Sequence, residues 1–315
     1  MEQDLKYIWQ IYKDRSISVA AEHLFITQPA LSIALKRVED NAGGPLFDRG
    51  SRPLILTDIG KVYIDMISRM RHLEEDLKNN VEDLKNLGSG NIRIGGTTFL
   101  NSFILAPVLS SFARKYPNIT INLEEESAAT LHERLKYRDI DLTFNCDPDV
   151  VKEFIHYYAF TDHILLAVHE DIAIPEDLLP YSMNLQEVQE RRYMDKDVPA
   201  VELKYFKDVE FIMLKEGNNL HERAMEMFKE EGISPRIKMS ISQMVTSFYL
   251  AENALGATFV SDRQIIDRDS KLRFFKLKSD LATRTFYAIL PDRAYTSQAV
   301  IKFVEFANKY LSLFQ

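Results

Sequence analysis

Apolar residues in the first 42 positions recur at helical spacing, in three short blocks separated by polar residues. The first block, spaced i, i+3, i+4 and i+7, predicts an amphipathic helix and consists of Leu5, Ile8, Trp9 and Tyr12. Ser18 is placed to cap a short second helix that carries the small residues Ala20 and Ala21. Phe25 and Ile26 are expected to plug the following turn.

A third helix is expected to begin at Thr27, with Pro29 in its first turn, where the missing N–H does no harm. Its predicted buried stripe is Ala30, Leu31, Leu35 and Val38. Its opposite face carries amide, hydroxyl, apolar and cationic groups, from Gln28, Ser32, Ile33, Lys36 and Arg37. Two short helices joined by a tight turn, the second with such a face, predict a helix-turn-helix that reads a DNA major groove, with Ser18, Thr27 and Pro29 as further DNA contacts.

A basic turn follows the third helix. Arg49 and Arg52 flank a Gly-Ser pair between Phe47 and residues 54–56, which predicts a wing hairpin. Its cations would reach phosphates or a minor groove. A solvated surface turn is the alternative.

Residues 57–87 carry apolar positions that alternate four and three apart, the pattern of a coiled-coil helix. The predicted seam is Ile59, Tyr63, Met66, Met70, Leu73, Leu77, Asn80, Leu84 and Leu87. A core-facing helix of a monomer would show a similar stripe, but the length of this one favours pairing with a second copy. Two copies would present two recognition helices, so the operator is expected to contain inverted half-sites.

Beyond the Gly-Ser-Gly joint at 88–90, short strands alternate with helices, which predicts an α/β domain. The predicted strands are 92–94, 119–123, 142–144, 164–168, 211–214, 258–260 and 286–290. The predicted helices are 103–116, 131–137, 220–231, 244–253 and a closing helix from 300 to 311. Residues 181–200 are highly charged and are interpreted as a surface insertion.

Composition and charge limit the function. A chain of 315 residues with 46% hydrophobic content is long enough for two or three domains, and its net charge is −8. Residues 1–62 hold eight Lys or Arg and eight Asp or Glu, so DNA binding must depend on where the cations lie. The single cysteine, Cys146, excludes an intrachain disulfide, and buried packing is favoured over a redox role. No apolar run suits a signal peptide or a membrane span, so a cytoplasmic protein without membrane contact is expected.

Motifs of catalysis are absent from the sequence. The seven His residues form no HExxH or Cys/His group, and no GxxxxGK, GxGxxG or GxSxG occurs. The carboxylates at 124–126 suit a solvated or capping run better than acid/base chemistry. We expect neither an enzyme nor a bound metal or cofactor.

The amino-terminal segment resembles the winged helix-turn-helix of the LysR-type transcriptional regulators. The matching residues are Ser16, Ala20-Ala21, Leu24, Gln28-Pro29-Ala30-Leu31-Ser32, Val38-Glu39, Pro45-Leu46-Phe47-Asp48-Arg49 and Leu56-Thr57. Relatives usually carry Arg or Gln where this chain has Ile33, whose side chain has no group for hydrogen-bond readout. An Ile can instead pack on a thymine methyl, and neutral drift is the alternative.

The resemblance implies the architecture of the whole chain. It places an all-α winged helix-turn-helix at 1–57 and a dimerisation helix at 58–88. A two-lobed effector domain, similar to type 2 periplasmic binding proteins, follows, with lobe I at 91–160 and 268–315 and lobe II at 161–267. The crossings between lobes are expected near Thr161 and Asp267.

The resemblance also implies an effector site between the lobes, where helix N-termini favour a small anion. The candidate contacts follow strand ends, and are Thr97, Thr98, Ser127, Asn218, Asn219, Ser242 and Gln243. A helix cap is the alternative reading for each of them. The implied partners are operator DNA, a second or further copies of the chain in a dimer or tetramer, the effector and, for an activator, RNA polymerase. A solute carrier and an effector-independent architectural DNA binder are the competing functions.

Overall fold

The computed structural model describes residues 3–85, 89–264 and 270–313. They form two compact units. One takes its residues from 1–87 together with 293–297, and the other from 88–292 and 298–315. None of the described helices is both long enough and apolar enough to cross a membrane.

The amino-terminal unit contains four helices and a two-stranded wing. These are α1 (Gln3–Asp14), α2 (Ile17–His23), α3 (Gln28–Ala42), β1 (Phe47–Asp48), β2 (Ile55–Leu56) and α4 (Asp58–Lys85). Thr27 caps α3 as predicted, because its hydroxyl accepts a hydrogen bond from the Ala30 amide. Gly43 ends the same helix in the left-handed region, at φ +78°. The two strands pair antiparallel, Phe47 opposite Leu56.

Three details of the helix-turn-helix were predicted wrongly. Ser16 caps α2 by accepting from the Val19 amide, whereas Ser18 lies inside that helix and is exposed. Ala34 rather than Ala30 completes the buried stripe of α3, since Ala30 is exposed. Phe25 does not plug the turn: it is 95% exposed.

Helix α4 has two different faces. Ile64 and Ile67 are buried within the amino-terminal unit, and the Arg71 guanidinium lies 4.2 Å from the centre of the Trp9 ring. Residues 293–297 pack in the same unit: the Ala294 amide donates to Asp76 at 3.1 Å, and the Tyr295 hydroxyl donates to Asp83 at 2.8 Å. The other face of α4 is exposed and apolar.

The second unit is α/β. Its strands are β3 (Gly90–Gly96), β4 (Ile119–Glu125), β5 (Thr143–Asn145), β6 (Ile155–His169), β7 (Ser182–Met183), β8 (Glu210–Leu214), β9 (Arg236–Ile241), β10 (Thr258–Ser261), β11 (Leu272–Lys276) and β12 (Thr283–Leu290). Its helices are a π-helical segment (Leu100–Leu105) that leads into α5 (Ala106–Lys115), then α6 (Ala128–Lys136), α7 (Pro148–Lys152), α8 (Leu185–Gln189), α9 (Asn219–Glu230), α10 (Met244–Glu252) and α11 (Gln298–Ser312).

The long strand β6 joins two lobes. Its first half pairs antiparallel with β12, and its second half pairs with β10 and β11. Each lobe adds a parallel pair, β3 with β4 in lobe I and β8 with β9 in lobe II. A continuous hydrophobic core runs from Ile92 in lobe I through Phe160 to Phe211 in lobe II. The carboxyl ends of the two parallel pairs therefore belong to different lobes of one unit.

The second crossing between lobes was predicted wrongly. Strand β11, which was not predicted from the sequence, pairs with the lobe II half of β6 and with β7. The chain therefore returns to lobe I between β11 and β12, after residue 276, and not near 267. Asp267 itself lies outside the described residues.

Residues 181–200 are not a surface insertion. They contain β7 and α8, and the side chains of Leu185, Val188, Tyr193 and Val198 are buried in a cluster with Phe248 and Phe274 of lobe II. Most of the charged residues between these apolar positions face solvent, which explains why the segment resembles a surface loop in the sequence. Strand β9 was missed for a related reason, since most of its residues are exposed.

Candidate functional site

The surface of α3 carries the residues expected to read DNA. Gln28, Pro29, Ile33, Lys36 and Arg37 are exposed and Ser32 is half-buried, while Leu31, Ala34 and Leu35 are buried on the opposite side. The Gln28 side-chain amide donates to the Ser32 hydroxyl at 3.1 Å. The Arg37 guanidinium is bonded to the Asp4 carboxylate through both Nε, at 3.0 Å, and a terminal nitrogen.

The wing is attached to α3 by an acidic side chain. The buried Glu39 carboxylate accepts from the Leu46 amide at 2.9 Å and from the Arg49 guanidinium at 2.6 Å. Arg49 is therefore paired within the protein. Arg52 is exposed and has no hydrogen bond or ion pair with any residue that the structure describes. Of the two wing arginines, Arg52 is the one available to a phosphate.

The α4 seam comprises the apolar side chains along the solvent side of that helix. Ile59, Met66, Met70, Leu73, Leu77 and Leu84 of the predicted set are exposed, and so are Val62 and Val81. Leu73 and Leu77 are 64% and 67% exposed. Tyr63 is half-buried, and Asn80 is exposed among these apolar neighbours. Leu87 lies outside the described residues. No described residue of the amino-terminal unit covers this stripe, so its burial requires another surface.

All seven candidate effector residues line one cavity of the second unit, with a volume of about 520 Å³. Lobe I contributes the turns after β3 and β4, with Thr97, Thr98 and Ser127. Lobe II contributes the turns after β8 and β9, and their residues at the cavity are Asn218, Asn219, Ser242 and Gln243. Strand β12 supplies Arg284 and Phe286. The turns meet because each follows the carboxyl end of a parallel strand.

Some of these residues also cap helices. The Ser127 hydroxyl accepts from the Thr130 amide at 3.1 Å, and the Asn218 side chain accepts from the Leu220 amide at 2.9 Å. Gln243 stands at the N-cap position of α10 but makes no side-chain capping bond. The Thr98 hydroxyl donates to the Glu125 carboxylate at 2.8 Å. The capping interpretation thus applies to Ser127 and Asn218, and not to Gln243.

Several charged residues of the cavity were not predicted from the sequence. Glu125, Glu126 and Glu216 line it together with Lys215 and Arg284. Glu125 is the last residue of β4 and Glu126 follows it, so the position at a strand end that pointed to Ser127 would have pointed to them as well. Arg284 lies within a strand, and no pattern in the sequence distinguishes it.

A buried charged network lies where β6 crosses between the lobes. Arg284 Nε donates to Asp162 at 2.7 Å, and the Ser261 hydroxyl also donates to that carboxylate. Asp162 and Arg284 are almost completely buried. Burial, only partly opposed by Arg284, raises the pKa of Asp162. The pKa of Arg284 is raised despite its burial, because Asp162 stabilises its charge. Arg284 therefore enters the cavity wall as an already paired cation.

A second carboxylate extends this network into lobe II. Asp262 accepts from the Tyr193 hydroxyl at 2.6 Å and from the His163 amide at 2.9 Å. Burial alone would raise the pKa of Asp262, but hydrogen bonds from His163 and Tyr193 outweigh it and lower that pKa. Burial and, to a smaller extent, the contact with Asp262 raise the pKa of the Tyr193 hydroxyl. Residues 181–200 are thus bonded to the strands that form the crossing.

Cys146 lies in the cavity wall, where its thiol donates to the Asn219 side-chain oxygen at 3.2 Å. Burial raises its pKa, against the influence of Arg284 and Arg223. The thiol is therefore neutral near pH 7. In the part of the chain that the structure describes, no three His, Cys, Asp or Glu side chains are arranged to hold a metal ion.

Two family models match the chain. Residues 3–61 match the bacterial regulatory helix-turn-helix protein, lysR family, and residues 85–312 match the LysR substrate binding domain. The second match alone covers more than half of the chain. The curated relatives include the uncharacterized HTH-type transcriptional regulator YcgK of Bacillus subtilis (strain 168), 25% identical over 310 residues, which are 98% of this chain and 94% of YcgK. YtlI of the same organism, also an HTH-type transcriptional regulator, is 30% identical over 192 residues, 61% of each chain.

Solved structures show the same fold. A full-length OxyR variant from Pseudomonas aeruginosa has a TM-score of 0.67 at 15% identity and covers 97% of this chain and 96% of its own. Full-length CbnR complexed with its target DNA has a TM-score of 0.58 at 18% identity, covering 98% of this chain and 99% of its own. Because both domain models match in the expected order, the chain belongs to the LysR family: it is a DNA-binding transcriptional regulator with an effector-binding domain, and not an enzyme.

Proposed function

We propose that the protein binds inverted-repeat operator DNA as a homodimer or homotetramer and that a small molecule with an anionic group, bound in the effector cavity, changes its activity. The observation that carries the effector part of the proposal is the cavity itself. Seven polar residues from four separate turns line a space of about 520 Å³ between helix N-termini.

The α4 seam supports the oligomer. Eight large apolar side chains are exposed along one 28-residue helix, and leaving them in water is unfavourable. A second copy of α4 would cover them, and Asn80 would fix the register of the pair. A dimer would present two copies of α3, which is the geometry that reads an inverted repeat. RNA polymerase is a further partner if the protein is an activator.

The charges of the cavity indicate where the anionic group would bind. On the lobe I side the Thr98 hydroxyl already donates to Glu125, and Glu126 lies beside it, so an anion there would be repelled. On the lobe II side the exposed Lys215 balances the charge of Glu216, and the N-terminus of α10 lacks a side-chain cap. We therefore place the anionic group near Lys215 and Gln243.

Ligand binding tests this assignment. Thermal unfolding of the full-length protein is measured across a panel of small carboxylates and phosphates, and the compounds that raise the melting temperature are titrated. Lys215→Met should weaken binding of the best anion, whereas Lys271→Met, which removes a surface lysine paired with Glu170, should not. Equal affinity of the Lys215→Met variant and the wild type would refute the anion site. Absence of any ligand in the panel would refute the anionic effector.

Operator binding is tested separately. Sequences selected from a random duplex pool by the full-length protein should contain an inverted repeat, and a Leu73→Asp, Leu77→Asp variant should lose selective binding because it cannot pair. Selection of a sequence without twofold symmetry would refute the paired arrangement.

A further inference from the structure

The exposed surface of the recognition helix α3 contains an apolar patch that none of the described residues covers. Ile33 is 70% exposed, and Pro29 and Ala30, four and three residues earlier, are exposed as well. Residues at these spacings are neighbours on a helix surface. The buried stripe of α3 lies on the other side, so this patch does not serve the core.

The polar side chains around the patch are largely committed to each other or to other parts of the protein. Gln28 donates to Ser32, and Arg37 is held by Asp4. Among the described residues Lys36 has no such partner, but it is exposed and suits a phosphate as well as a base. Of the predicted contacts on α3, Pro29 and Ile33 are apolar and have no such partner among the described residues, and Ile33 has the longer side chain with which to reach a base.

DNA offers one apolar group to such a side chain in the major groove. This is the 5-methyl group of thymine, and it distinguishes an A·T pair from the other pairs. The chain belongs to a DNA-binding family and α3 is the second helix of its helix-turn-helix, so the duplex is the surface expected to cover Ile33.

We infer that Ile33 is a specificity-determining residue that recognises thymine through its 5-methyl group at one position of each operator half-site. The inference extends the operator proposal and depends on it. Burial of one methyl group contributes about 0.8 kcal/mol, which corresponds to about a fourfold change in affinity. Two half-sites together give about a fifteenfold change.

Uracil substitution tests the inference directly, because uracil differs from thymine only by the absence of that methyl group. A series of duplexes is prepared from a sequence selected by the full-length protein. In each duplex dU replaces dT at one position of a half-site and at the symmetric position of the other half-site. Binding is measured by fluorescence anisotropy at one fixed salt concentration. At one thymine position the wild type should bind the dU duplex about fifteenfold more weakly.

The Ile33→Ala variant should bind the thymine duplex more weakly than the wild type and should lose its sensitivity to dU at that position. Ile33→Val, which keeps a β-branched apolar side chain, should retain part of the sensitivity. Ile301→Ala removes an exposed isoleucine of α11 and serves as the control, since it should behave as the wild type does.

Two results would overturn the inference while leaving the operator proposal intact. One is selective binding by the wild type with no thymine position sensitive to dU. The other is an equal dU effect in the wild type and in Ile33→Ala. Failure to select any sequence would refute operator recognition itself, and the inference with it.

Discussion

The contact between the wing and the recognition helix allows a quantitative prediction. The Glu39 side chain is only 9% exposed, and its carboxylate accepts hydrogen bonds from the Leu46 amide and from Arg49. Glu39→Gln keeps an acceptor for Leu46 but directs an amide N–H₂ group towards the guanidinium, which is also a donor. The substitution therefore removes the bond between the charged groups and leaves the shape almost unchanged.

The expected size of the effect follows from the exposure of the two partners. A hydrogen bond to a charged group contributes about 1.5–3 kcal/mol, but Arg49 is 59% exposed and solvent screens the pair. We expect Glu39→Gln to destabilise the wing contact by about 1–2 kcal/mol after that discount. Hydrogen exchange of the Leu46 amide in the full-length protein should then become about 5–30 times faster.

The two wing arginines should differ in their effect on DNA binding. Arg52→Met should reduce the slope of log affinity against log salt by about one unit, because Arg52 is free to contact a phosphate. Arg49→Met should change that slope less, since Glu39 already neutralises its charge. Equal changes of slope in the two variants, with unchanged exchange at Leu46 in Glu39→Gln, would refute the structural role of the Glu39 contact.

Three further predictions concern other parts of the molecule. Leu77→Lys places a charge in the exposed α4 seam and should shift the protein towards the monomer in analytical ultracentrifugation. The control, Lys78→Ala, should leave the mass unchanged. An unchanged mass for Leu77→Lys would contradict the pairing of α4 helices. Tyr193→Phe removes the hydrogen bond to Asp262 and should lower the melting temperature of the effector domain by about 3–10 °C. The pKa of Asp262 is lowered in the folded protein, so the ionised carboxylate stabilises the fold at pH values above its unfolded pKa of about 3.9, and this stabilisation is lost as the pH falls. The difference in melting temperature between Tyr193→Phe and the wild type should therefore shrink in acid. A difference that stays constant with pH would argue against a charged carboxylate. Burial raises the pKa of Cys146, so its alkylation by iodoacetamide at pH 8 should be much slower in the folded protein than in urea, and equal rates would contradict the buried thiol.

Periodicity predicted the amino-terminal unit well because its contacts are local. The Thr27 cap, the helices and the length of α4 depend on residues three to seven positions apart, and the sequence displays those spacings directly. The errors there are also local. Ser16 and Ser18 are both competent caps, and only the observed phase of α2 decides between them.

The effector domain was predicted less completely because its organisation depends on strand pairing over long distances. The resemblance to the LysR family, together with the rule that ligands bind at strand carboxyl ends, predicted seven residues, and the structure brings all of them to one cavity. Their contact with an effector stays a prediction. The second crossing was misplaced because β11 was missed, and β11 is defined by pairing with β6, about 100 residues earlier.

The residues that could not be predicted are those whose meaning depends on a distant partner. Arg284 looks like an ordinary exposed strand residue in the sequence, yet it is buried against Asp162, 122 positions away. Removing one partner of such a pair leaves an uncompensated charge in the interior, which costs about 3–5 kcal/mol. The strand that carries Arg284 also carries Phe286 at the cavity, so this network fixes part of the cavity wall. Tyr193 donates to Asp262, which directly follows Ser261, the second donor to Asp162. Residues 181–200 are therefore connected to this network, although none of them lines the cavity.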